Sequence, residues 1–134
     1  MKIEIPISCG ELVDKLTILE IKAKLITESE KLNEVKKEFR ELSVTFKTLL
    51  ESNPLIQKYY DQLLSINTEL WLIEDGIRVC EKNNDFGDNF IKLARSVYKT
   101  NDQRFHLKND VNELFNSNIK EQKKLKLSKF GTFT

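Results

Sequence analysis

Residues able to do chemistry are sparse in this chain and gather in three places. Glu11, Asp14 and Lys15 lie near the start, Asn67, Trp71, Glu74, Asp75 and Arg78 in the middle, and Arg95, Tyr98, Lys99, Asn101, Asp102 and Arg104 further on. On an α-helix, residues three and four apart share a face, so Asn67, Trp71, Glu74 and Arg78 form one stripe. Glu11, Lys15 and Lys22 line up in the same way. Three helices bearing mixed charge beside an apolar seam could enclose a polar pocket, in which Lys15, Arg78 and Arg95 would hold the carboxylate or phosphate of an anionic small molecule. Such a pocket suits a ligand binder or a cofactor-free rearrangement of a dicarboxylate. The plainer alternative is solvated charge, with exposed pairs worth about 0.2–0.5 kcal/mol each. The two differ in what a deletion costs: if Asp14, Lys15, Glu74, Arg78, Arg95 and Asp102 form one buried network, Arg78→Ala or Arg95→Ala destabilises the fold by about 2–4 kcal/mol.

Other chemistries are poorly served. Four glycines, none clustered, cannot build a phosphate-cradling loop, and the single His106 has no evident Ser or Cys partner for a nucleophilic triad. Cys9 and Cys80 form no C-x-x-C pair, and with one histidine they fall short of the four ligands of a structural zinc, so they read as buried, reduced thiols. Glu38 and Glu41, with Glu11 and Asp14, have the spacing of carboxylate pairs that hold Mg²⁺ in all-α pyrophosphatases, but in the wrong order along the chain. No metal and no cofactor is expected.

The composition favours helices. Of 134 residues 32% are charged and 40% hydrophobic, with only four Gly and two Pro, a mix that suits long amphipathic helices rather than sheets joined by turns. The formal net charge of +1 argues against nucleic acid as a partner. From Asn118 onward five lysines stand against Glu121 alone, a local +4 that leaves −3 for the rest. The expected organisation is one helical domain over residues 1–117, opened by a short extended arm, and a basic, weakly structured tail over 118–134. No uncharged apolar run approaches the roughly 20 residues that span a bilayer, and Met1 to Ser8 lacks the pattern of a signal peptide, so a cytoplasmic setting is expected.

The elements that must position the three clusters are marked by apolar periodicity. Ile3, Ile5 and Ile7 alternate with polar residues, but Pro6 and the lack of a strand partner make this an extended arm. Ser8-Cys9-Gly10-Glu11 is a capping box that starts a helix at Cys9. Its stripe, Leu12, Leu16, Leu19, Ala23 and Ile26, falters at Thr27-Glu28-Ser29-Glu30, where a second box suggests a break. Leu32, Val35, Phe39, Leu42, Phe46 and Leu49 form the next stripe. After Asn53, a cap, and Pro54, a first helical residue, Ile56, Tyr59, Leu63, Ile66, Leu70, Ile73, Ile77 and Cys80 keep an unbroken heptad. A three-residue turn makes the two stripes antiparallel neighbours, and they match in register from Leu49 against Ile56 to Leu32 against Ile73. The expected fold is therefore all-α: a long, coiled-coil-like antiparallel hairpin with shorter helices at its base. One of those starts after Asp85, and another near Thr100, where Thr100-x-x-Gln103 is a further box.

Gly10-Glu11-Leu12-Val13-Asp14-Lys15-Leu16-Thr17-Ile18-Leu19, Leu70-Trp71-Leu72-Ile73-Glu74-Asp75-Gly76-Ile77-Arg78, and Phe90-Ile91-Lys92-Leu93-Ala94-Arg95-Ser96-Val97-Tyr98 with Asn101-Asp102 together resemble the signature blocks of a family of small, uncharacterised, all-helical bacterial proteins. The resemblance covers roughly residues 3 to 115 and implies no activity. The tail after Asn118 departs from the family pattern. What the residues support is a self-associating binding or scaffolding protein, a homodimer or higher homo-oligomer, because Trp71, Tyr60, Leu64 and Ile18 flank the seams and need cover.

Overall fold

A computed structural model describes residues 1–116. Four helices account for nearly all of them: α1 (Cys9–Leu25), α2 (Ser29–Ser52), α3 (Ile56–Lys82) and α4 (Asp88–Asn116), with no strand among the described residues. The tail expectation for 118–134 lies outside this range. Met1 to Ser8 precedes α1 as an exposed segment without regular structure.

The local signals act much as their chemistry requires. Ser8 caps α1, its Oγ accepting the Glu11 amide at 3.1 Å. The other half of the expected box is not made within the helix, because the Glu11 carboxylate pairs with Lys108 of α4. The break expected around Thr27 to Glu30 is present but begins earlier, with α1 ending at Leu25 and Ile26, the last residue of the expected stripe, extended. Glu28 rather than Thr27 takes the cap position of α2, without a side-chain hydrogen bond. Asn53 is also extended and its Oδ1 accepts the Leu55 amide at 3.2 Å. Pro54 is not the first residue of α3, whose cap position is Leu55; it opens a tight turn whose bonds run three residues back, from Ile56 to Asn53 and from Gln57 to Pro54. At the far end of α3, Asn84 takes the left-handed conformation (φ 52°) while the Asp85 amide reaches back to the Cys80 carbonyl, a helix stop of the Schellman kind. Asp85 then accepts the Gly87 amide, and the Gly87 carbonyl accepts from Ile91, so the cap of α4 is Gly87 and not Asp85.

Two expectations about the larger elements are corrected. No helix begins at Thr100. That residue is buried in the middle of a 29-residue α4, which no proline or internal glycine interrupts. Burying Thr100 and Val111 along one side of a continuous helix outweighs the weak local preference of Thr-Asn-Asp for a cap. The second correction concerns the pairing. The backbones of α2 and α3 approach each other only sparsely, and the principal partner of α3 is α4. The antiparallel register is set by Leu93, whose Cδ1 would stand 3.0 Å from a Cβ on Gly76, and by Asn89, whose amide reaches the Cys80 sulfur at 3.7 Å. The α2 and α3 stripes matched in length and period, but α1 packs against α2, α3 and α4 alike and takes the apolar face that α2 was expected to occupy.

The core lies where α1 packs on the pair. Leu12, Val13 and Leu16 of α1 meet Ile56, Tyr60 and Leu63 of α3 and Val111 of α4 in one buried cluster. From α2, Phe39, Leu42, Phe46 and Leu49 pack on its edge, with the Phe46 ring tilted at 51° to that of Tyr60 and the ring centres 5.2 Å apart. None of the residues of α2 is itself buried. Tyr60, expected to need cover from another subunit, finds it within the chain.

Candidate functional site

The one place where the sequence clusters converge is Asp14. This carboxylate is 3% exposed, because α1 turns it inward beside Val13 and Thr17. Arg104 of α4 holds it in a two-point clamp, Nε donating to Oδ1 at 2.8 Å and a terminal nitrogen to Oδ2 at 2.6 Å. Asn67 of α3 donates from Nδ2 to the same Oδ1 at 2.9 Å and to the Thr17 hydroxyl oxygen at 2.8 Å. The Thr17 hydroxyl in turn donates to the Asp14 backbone carbonyl at 2.7 Å. Every buried side-chain polar atom among the described residues has a partner.

Electrostatics follows from this geometry. Burial pushes the Asp14 carboxyl upward, but hydrogen bonds from Arg104 and Asn67 and the charges of Arg104 and Lys108 outweigh it. They hold the group below the usual carboxylate range. The Asp14 hydrogen bond raises Arg104 against its own desolvation, helped by the charges of Asp14, Glu11 and Glu74. Tyr60 is raised by burial and by the nearby carboxylate of Glu20, to which its hydroxyl donates at 3.2 Å. Burial also pushes the Cys9 thiol up against an opposing backbone hydrogen bond.

Close approach of the backbones makes the clamp possible. The Gly10 amide donates to Asn112 Oδ1 at 2.7 Å, and a Cβ at Gly10 would collide with the Lys108 carbonyl. Glycine there lets the start of α1 lie directly on α4.

The remaining sequence candidates are distributed otherwise. Glu11 joins the edge of the cluster through Lys108, and Glu74 is near enough for its charge to act on Arg104. Lys15 turns to Glu38 of α2 at 2.9 Å, an exposed pair. Arg78 pairs with Asp75 on its own helix and with no other carboxylate among the described residues, at 3.1 Å with 71% of its side chain exposed. Arg95, Tyr98, Asn101 and Asp102 are all exposed, and Trp71 is half-buried on α3. Lys15, Arg78 and Arg95 thus point apart, and the single network of six charges is not formed. Thr17, Lys108 and Asn112 complete the cluster, although nothing in their local pattern set them apart. Lys108 and Asn112 follow Arg104 at steps of four on one face of α4, while Thr17 on α1 carries no such signal.

A different group of cations shares a concavity. Lys36 and Arg40 of α2 line a cleft of about 240 Å³ with Phe39, and with Glu20 and Ala23 of α1. No group of His, Cys, Asp or Glu among the described residues is arranged to hold a metal ion.

Fold and cluster together define a four-helix protein whose first, third and fourth helices are tied by one buried Asp–Arg clamp. The chain belongs to DUF6165, a family of unknown function, whose model matches residues 1–130. The match extends through most of the basic tail, which sequence reading had set outside the family pattern. Comparison with curated proteins and with solved structures returned no match. No helix among the described residues is long and apolar enough to cross a membrane.

Proposed function

We propose that this protein is a helical interaction module that associates with itself and acts through its surface. The observation that carries the reading is the set of large apolar side chains left open on the α3–α4 pair: Leu72, Val79, Ile91, Tyr98 and Phe105 are each between 44% and 64% exposed. Apolar side chains left open mark an interaction face where they gather into one patch, as these five are proposed to do. The outward dispersal of Lys15, Arg78 and Arg95 supports a surface role over an enclosed catalytic one. The two cysteines, free in the fold, fit a reducing cytoplasm. Sedimentation at tens of micromolar is expected to give a dimer mass or higher, and a strictly monomeric mass overturns the proposal.

A second reading rests on the cleft between α1 and α2. Lys36 and Arg40 have no carboxylate partner among the described residues, whereas Glu20 beside them is engaged by Tyr60 and Lys24. Two unpaired cations in one cleft with Phe39 suit a small anion with an apolar body. Titration calorimetry with benzoate, and with inorganic phosphate as the arm lacking that body, tests it: saturable benzoate binding lost in Arg40→Ala supports the reading, and no heat with either probe ends it.

A further inference from the structure

Ile91, Tyr98 and Phe105 repeat at intervals of seven on α4, which places them in one line along the helix. All three are exposed, and the line lies off the side of α4 that buries Thr100 and Val111. The neighbours at i+3, Ala94 and Asn101, flank the line on one side, and those at i+4, Arg95 and Asp102, flank it on the other. These four are exposed as well. Neither Arg95 nor Asp102 has an ion-pair partner among the described residues, although most other charged side chains of the family blocks are engaged.

An apolar line with one charged flank of alternating sign is one half of a helix-pairing seam. We infer that its occupant is α4 of a second copy of this chain, lying antiparallel across it with the two-fold axis at Tyr98. The inference rests on the self-association proposed above and names the face that performs it. Ile91 and Phe105 stand equally far from Tyr98 on either side, so an antiparallel partner sets each Ile91 on the other copy's Phe105 and the two Tyr98 rings on each other. In an antiparallel pair each flank faces its own counterpart, which brings Arg95 of one copy to Asp102 of the other, and does so twice. A parallel pair would instead set this flank against the partner's Ala94 and Asn101, leaving Arg95 and Asp102 without an opposite charge. Charge complementarity therefore selects the direction as well as the partner. Such an interface uses one patch on both copies, as a closed two-fold dimer requires. It also gives Arg95, Tyr98, Asn101 and Asp102 a shared purpose that no ion pair or side-chain hydrogen bond among the described residues supplies.

The experiment is a charge-reversal cycle read by sedimentation equilibrium, with a cross-link at the axis. Arg95→Asp and Asp102→Arg are each expected to weaken the dimer by at least about tenfold, and the double variant to return it to within about threefold of the parent. Tyr98→Cys is expected to form a cross-linked dimer with a short bis-maleimide in a Cys9→Ser background, and Val44→Cys on α2 to form none. Circular dichroism melts check that these exposed substitutions leave the fold intact. A parent dimer indifferent to both reversals, or no cross-link at position 98 while the dimer persists, overturns the α4 seam and leaves self-association standing on another face. A parent that is monomeric throughout overturns both.

Discussion

At the scale of single residues, Asp14 and Arg104 are the pair on which the rest depends. Removing the guanidinium would leave a buried carboxylate with the Asn67 amide as its remaining side-chain hydrogen bond and only the charge of Lys108 to offset its own, so Arg104→Ala is expected to cost about 3 kcal/mol or more. The exposed Arg78 is expected to cost under about 1 kcal/mol, because solvent already screens its pair with Asp75. Urea denaturation of the two variants measures the contrast. Acid supplies a second reading of the clamp. The folded state holds the Asp14 carboxyl below its ordinary value, so the unfolded chain takes up the proton first as pH falls. The stabilisation is complete above about pH 4 and is lost as pH drops through the folded-state value. The unfolding free energies of the parent and of Asp14→Asn should accordingly converge below that pH, and a gap that stays constant would show that the carboxylate does not titrate with folding.

Elements are joined here by small residues at close contacts. Gly10 sits against the carbonyl of Lys108, and any Cβ must push α1 off α4 at the point where Glu11, Asp14, Lys108 and Asn112 meet. Gly10→Ala is therefore expected to destabilise by about 1–3 kcal/mol, against the gain alanine brings to an ordinary helix position. A thermal melt gives the sign directly, and a stabilised variant would mean that the helices separate at little cost. Most element boundaries were legible because their signals are local: Ser8 caps through its own side chain, and Pro54 limits its own backbone. The cap of α4 was misread by two residues, since Asp85 and Gly87 cooperate in one turn. The supposed break at Thr100 failed for a different reason. Capping preference is worth about 1 kcal/mol, and burial of Thr100 and Val111 in one continuous helix exceeds it.

Across the whole molecule, stability is concentrated where α1 crosses the α3–α4 pair. Leu16, Leu63 and Val111 are fully enclosed there, while α4 before Thr100 has no buried residue. Amides near Leu16, Leu63 and Val111 should consequently exchange slowest with deuterium, and those of residues 90–99 markedly faster. Uniform protection along α4 would contradict this distribution. The sequence by itself determined the helical class, a break near Thr27, the turn at Asn53-Pro54, and the apolar faces, because propensity, capping and periodicity act over a few residues. It also singled out Asp14 and Arg104 as candidates. Only the tertiary structure decided that α3 pairs with α4, that Arg104 rather than Arg78 or Arg95 reaches Asp14, and that Asn67, Thr17, Lys108 and Asn112 complete the cluster. The stripes of α2 and α3 matched one another in period and length, and so did others. Which apolar faces meet is settled by how α1 wedges its buried face, opened by Gly10, among all of them, and that competition among distant contacts leaves no mark in the spacing of any one helix.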